Sequence, residues 1–184
     1  MKKIALAAAL ILTTSPALAA HWNVDYAKSR LGFTVQWSNH PFVATFKSWK
    51  ADIDFDPADP ARAHVLATID IASEGSDTPD NDDGLKGPEG FQTSRFPSAT
   101  FEAAGFTSQG ADRYVANGKL TIRGVTHPVS LPFTLTIAGG SAHMVGNAQV
   151  IRTQFGVGQG EWASAATIAH EVAVNIDLTA TKAP

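Results

Sequence analysis

The stretch TIAHEVAVNIDLTA, residues 167 to 180, places Ile168, His170, Val172, Val174, Ile176 and Leu178 on one parity. Ala169, Glu171, Ala173, Asn175, Asp177 and Thr179 fall on the other. A period of two held for this long describes a strand with one oily face and one mostly polar face. Such a face has to be covered, and the rest of the chain repeats the same demand. SRLGFTVQW sets Leu31, Phe33, Val35 and Trp37 against Gly32, Thr34 and Gln36. FVATFKSWKADIDF brings Trp49, Ala51, Ile53 and Phe55 into register, and HVLATIDIAS does so with Val65, Ala67, Ile69 and Ile71. The pattern resumes in ATFEA, RYVANGKLTI, VSLPFTLTI and SAHMVGNAQVIRT. One-sided strands without long helical periods between them favour an antiparallel sheet. About eight strands then hide their oily face in a two-sheet sandwich or in a closed barrel, and periodicity does not choose between these.

The alternation breaks at DPADP, a turn, and for longer in SEGSDTPDNDDGLKGPEGFQTSRFP, where Gly, Pro, Asp and Asn accumulate. This excursion has room for one short helical turn. It also carries Leu85, Phe91 and Phe96, which a solvent-facing loop does not need, so it is expected to fold back over an opening or a sheet edge. In KLTIRGVTHPVSLPFTL, Gly124 and Pro128 suit a chain reversal, with Gly124 free to take a positive φ. Pro132, which gives no backbone donor, suggests an edge or a bulge.

Length and composition limit the classes open to the chain. Its 184 residues suit one domain, and 44% hydrophobic with 17% charged residues suits a folded one. A net charge of -3 with scattered basic residues gives no ground for a nucleic-acid partner. The opening MKKIALAAALILTTSPALAA has two lysines, an apolar run from Ile4 to Leu12 and the small-residue pattern Ala17-Leu18-Ala19. That is the layout of a secretory signal peptide over residues 1–19, cut after Ala19, which leaves 20–184 as the mature domain. The apolar run is too short for a permanent membrane span. The expected location is the periplasm, ahead of full secretion. With no cysteine in the chain, stability there depends on the core or a closed sheet, not on disulfides.

The motifs of catalysis are missing from the sequence. There is no GxSxG elbow, no GxxxxGK phosphate cradle and no cysteine nucleophile. GVGQG, residues 156–160, lacks a strand-turn-helix setting and reads as a bulge or loop. The six histidines, His21, His40, His64, His127, His143 and His170, show no metal-ligand spacing. His21 follows the cleavage point, where a new amino end would join it as a donor, a weak site by itself. His127 reads as a structural or surface residue, His170 as a satisfied imidazole or one near a barrel mouth, and Arg123 as the partner of a nearby carboxylate. Asp77, Asp80, Asp82 and Asp83 lack the spacing and terminal Glu of a calcium loop and read as a solvated segment.

GKLTIRGVTHPVSL resembles the central signature of the YceI-like family. VDYAKSRLGFTV, FKSWKADIDFDPADP, ATIDIAS, FQTSRFPSATFEA and RTQFGVGQG agree with it in order along nearly the whole mature chain. The resemblance implies an all-β, extended antiparallel barrel of lipocalin-like form with a short helical or loop cap. It also implies a non-enzymatic role: binding a polyisoprenoid or isoprenoid-quinone lipid in an apolar cavity for carriage, storage or sensing. The lipid is cargo, no catalytic cofactor or metal is implied, and a homodimer is compatible with the pattern. Carried onto this sequence, the lipid-binding candidates are Phe33, Val35, Trp37, Phe91, Phe96, Phe101, Leu131, Phe133, Leu135, Phe155, Val172, Val174 and Ile176. Two departures stand out: Lys28 precedes Ser29 where the family often has His, and Gly84 precedes Leu85 where His is common. Both remove an imidazole, and with it the ground for transferring a headgroup contact or a metal site from the family to these positions. The other reading is a cavity-free periplasmic stress or protein-interaction module, which differs from the carrier by having a filled core.

Overall fold

The computed structural model describes residues 19–184, so the expected leader lies outside the described residues except for Ala19. The strands are β1 (Trp22–Val24), β2 (Arg30–Trp37), β3 (His40–Phe46), β4 (Trp49–Asp54), β5 (His64–Asp70) and β6 (Glu74–Ser76). After helix α1 (Pro79–Lys86) come β7 (Ser98–Ser108), β8 (Arg113–Ile122), β9 (Val125–Ala138), β10 (Ser141–Ile151) and β11 (Ile168–Lys182). All pair antiparallel in one sheet, in the order β4-β5-β7-β8-β9-β10-β11-β2-β3-β6, with β1 on β11.

The sheet curls back on itself because its two ends are one piece of chain. β3 pairs with β2 and β4 pairs with β5, yet only Lys47 and Ser48 separate them. Lys47 N–H donates to the Ser73 carbonyl at 3.2 Å, and Asp70 N–H to the Ser48 carbonyl at 3.0 Å, which holds this corner. Below it, β1 fills the gap between β11 and β4 through the register Trp22↔Lys182 and the bridge His21↔Asp54. The exposed edge of β4 is also met by Tyr26, whose hydroxyl accepts from Ala51 N–H at 3.1 Å. The open alternative between sandwich and barrel is thus resolved as a curled barrel wall with one short capping helix.

Three two-residue turns, at Ser38-Asn39, Arg123-Gly124 and Gly139-Gly140, have positive φ at both central residues. That handedness matches the right-handed twist of the strands they join. Pro132 is explained by a local end of pairing. The β9–β10 ladder stops at Phe133↔Gly146. The bond from Leu135 N–H to the Asp112 carbonyl then sets a phase that turns Pro132 away from β8, toward the unpaired side. The 3₁₀ turn Arg152–Phe155 packs against β9 beside this split. His127 Nε2 lies 3.1 Å from the Gln154 carbonyl, and its ring meets Phe155 edge-on.

Candidate functional site

Inward side chains of the wall leave two apolar chambers in tandem. The cap chamber, about 170 Å³, lies under α1 and the loop between β10 and β11. The seam chamber, about 120 Å³, lies toward β1. Leu31, Ala67, Phe101, Leu131 and Ile176 line both and form a waist between them. The ring of Phe101 sits over Gly118, where any Cβ would come within 2.6 Å of it, so the glycine makes the space for the waist. Every residue lining the seam chamber is apolar, and only Arg152 and Gly158 interrupt the apolar lining of the cap chamber.

Of the residues singled out from the sequence, Phe33, Val35, Trp37, Phe91, Phe155, Val172 and Val174 line the cap chamber. Phe133 and Leu135 line the seam chamber, and Phe101, Leu131 and Ile176 the waist. Phe96 lines neither. Its ring lies beneath the guanidinium groups of Arg95 and Arg123, at 5.0 and 5.8 Å from its centroid. Trp162, Leu85 and Met144 line the chambers without having been singled out for it. Trp162 lies in a loop with no period to expose it, and it meets Trp37 edge-on at 5.2 Å.

The cap is built from two segments that touch. Helix α1 brings Leu85 to the chamber, and the 3₁₀ turn Gly160–Ala163 brings Trp162. They meet at Gly84, where an added Cβ would lie 2.7 Å from the Trp162 ring. The glycine in NDDGL is therefore a packing position of the cap. Lys28, the other departure from the family pattern, is exposed on the outer turn and pairs with Asp25 at 3.2 Å. Its neighbour Ser29 is buried, donating to the Asp25 carbonyl at 2.8 Å and accepting from Thr179 N–H at 3.0 Å.

Charged groups near the cap are occupied with the protein itself. Arg152, 6% exposed, has five N–H donors. They reach the carbonyls of Ala169, Val157, Gly158, Trp162 and Ile168 at 2.6–3.3 Å. Burial lowers its pKa below the ordinary guanidinium value. With its donors used, it ties the cap loop to β11 and leaves none for a ligand. Arg123 does not pair with a carboxylate as expected. It donates to the carbonyls of Pro88 and Gly90 and to Gln92 Oε1, because the loop beneath the hairpin presents backbone oxygens there.

Glu74 is the exception, 3% exposed with neither carboxylate oxygen hydrogen-bonded. Burial, and after it the neighbouring Asp82 charge, pushes its pKa up to about 7, against the opposing Lys86 and Lys47. Asp82 turns inward from α1 to accept from Ser76 N–H at 2.9 Å and Ser76 Oγ at 2.6 Å. Burial alone would raise it, but these bonds prevail and its pKa is lowered. His170 stands at the rim with Nε2 3.0 Å from the Ala163 carbonyl and is not among the lining residues. No helix among the described residues is long and apolar enough to cross a membrane.

Comparison with known proteins agrees with this architecture. A sequence model of the YceI-like domain matches residues 22–180. A UPF0312 protein of Photorhabdus laumondii is 35% identical over 128 residues, 68% of this chain and 66% of that protein. Protein YceI of Salmonella newport is 31% identical over 127 residues, 67% of this chain and 66% of that one. The match thus spans a little under two thirds of these curated relatives. The crystal structure of BcnA from Burkholderia cenocepacia superposes with a TM-score of 0.84 at 33% identity, covering 86% of this chain and all of that one. A polyisoprenoid binding domain from Saccharophagus degradans, implicated in plant cell wall breakdown, shares the fold at a TM-score of 0.70 and 13% identity, over 90% and 99% of the two chains.

Proposed function

Because the chain belongs to the YceI-like family, we propose that its barrel binds the isoprenoid chain of a polyisoprenoid or isoprenoid quinone, as a carrier, store or sensor outside the cytoplasm. The observation that carries this reading is the pair of apolar chambers joined at a waist. A filled interaction module has no use for them.

A flexible chain of repeated five-carbon units suits this shape. Burial contributes about 0.8 kcal/mol per methylene, so each isoprene unit adds roughly 3–4 kcal/mol before ordering costs. Each chamber is comparable in size to an engineered cavity of about 150 Å³ that accepts benzene. A chain of about two to three units therefore fills both chambers, and the waist residues grip it midway. The headgroup stays at the cap, where the half-buried Trp37 and Trp162 pack edge-on in the lining of the chamber. The role is binding without catalysis: the walls are apolar, and the guanidinium of Arg152 is spent on carbonyls. The leader over residues 1–19 delivers the protein to the periplasm.

The test is native mass spectrometry of the exported, cleaved protein, followed by organic extraction and identification of what is released. An intact isoprenoid in stoichiometric amount supports the reading. Lipid-free protein that takes up neither polyprenyl lipids nor isoprenoid quinones when supplied with them would overturn it.

A further inference from the structure

The seam between β1 and β4 holds a group of donors that the chambers do not use. Asp52 and Asp54 are two residues apart on β4 and so share its outer face. Across the bridge from Asp54 stands His21. Its Nδ1 lies 3.1 Å from Asp54 Oδ1 and 3.7 Å from Asp52 Oδ1, and the donor atoms of all three residues fall within 4.8 Å of one another. A tetrahedral ion with bonds of about 2.0–2.2 Å keeps its donors roughly 3.3–3.6 Å apart. The two imidazole–carboxylate separations bracket that spacing, and the two carboxylates lie within 4.8 Å of each other, so shifts of a few tenths of an ångström up to about 1 Å bring the three donors to it.

A hydrogen bond accounts for one carboxylate at the imidazole and leaves the second unexplained. Like charges at neighbouring positions on one face of a sheet repel, and His21 is the only ion-pairing partner of Asp52 and Asp54 among the described residues. His64 is the cross-strand neighbour of Asp54, but its Nε2 faces Glu102 at 3.9 Å. A separate observation concerns the chain end. The Ala20 carbonyl accepts from Phe55 N–H at 2.8 Å, which pins the residue before His21 onto the seam. A cut after Ala19 makes Ala20 the first residue and puts a free α-amino group on the residue next to His21. An amino-terminal residue followed by His offers two nitrogens to one ion, next to the two carboxylates that β4 presents.

We propose that the cleaved protein binds a zinc-like divalent metal ion through His21, Asp52 and Asp54, with the Ala20 α-amino group as fourth donor, and that the ion clamps β1 to β4. The fourth donor rests on the export reading above; the three side chains do not. Such a clamp has a purpose in this fold. β1 is three residues long, carries Trp22 into the seam chamber, and closes the barrel in a chain without cysteine to staple it.

The experiment is calorimetric titration of zinc chloride into the chelator-treated chain beginning at Ala20, with thermal melts with and without zinc. One ion per chain is expected, with a dissociation constant of about 1 μM or tighter, and a melting temperature that rises with zinc. His21→Ala and the pair Asp52→Asn with Asp54→Asn should each weaken binding by roughly 10- to 100-fold or more. Circular dichroism of these variants shows whether the sheet is kept. Residues added before Ala20 should weaken binding without changing its stoichiometry. Millimolar affinity, affinity unchanged in His21→Ala, or a loss produced instead by His64→Ala or His143→Ala would overturn the site. Equal affinity in the extended chain would overturn the fourth donor. Sequencing the amino end of the exported protein tests the cleavage independently, so a different first residue counts against the export reading and not against the side-chain site.

Discussion

Glu74 places a carboxyl in a buried position beside the Asp82 carboxylate, and that has a consequence for pH. Its carboxyl titrates near 4.5 when unfolded and at about 7 in the folded chain. Between those values the folded state keeps a proton that the unfolded state releases, so its contribution is intact below the lower value and lost as pH rises through the upper one. Relative to Glu74→Gln, the natural protein should therefore lose melting temperature from pH 5 to pH 8, by about 2–4 °C for each 1 kcal/mol involved. Melts of both proteins across that range check this, and parallel curves would refute it. The sequence showed Glu74 only as part of a polar loop. Its burial depends on β6 pairing with β3 and on α1 folding over it, contacts made by chain that is distant or irregular. Arg152 was hidden for the same reason, since its five acceptors come from the irregular connection between β10 and β11 and from the start of β11.

At the scale of elements, strands were legible wherever one face was oily, and the long excursion, whose Leu85, Phe91 and Phe96 implied a fold back over an opening or a sheet edge, brings Leu85 and Phe91 to the cap chamber and leaves Phe96 outside it. The two-residue strand corner at Lys47-Ser48 and the partial separation of β9 from β10 were not, because both depend on which neighbour a strand pairs with. Pro132 hinted at the second. Phe155 sits beside this split, 1% exposed, and lines the cap chamber. Phe155→Ala should cost about 3–5 kcal/mol in denaturant unfolding, as deletion of a fully buried ring does. It should also raise amide exchange along the last residues of β10. A loss under about 1 kcal/mol would mean that the 3₁₀ turn is not part of the folded wall.

For the whole molecule, the waist makes a prediction about chain length. Ala67 lines both chambers, and Ala67→Phe should fill the passage at a stability cost of about 1–3 kcal/mol. Under the proposed function, a short prenyl ligand confined to one chamber should still bind, and a long one should lose most of its affinity. Competition binding with prenyl alcohols of graded length reads the difference, and equal loss at every length would reject a continuous path. By itself the sequence determined that the chain is an antiparallel sheet with one oily face, because a strand's side-chain period is local and survives without knowledge of partners. Its motifs also indicated the family. Only the tertiary structure decided that the oily faces surround space, that Gly118 and Gly84 shape it, and that Phe96 lies outside it under two arginines. Closure, cavity and seam depend on registers between residues far apart in the chain and on the sizes of side chains that meet across the barrel, and neither is written in the alternation of any one strand.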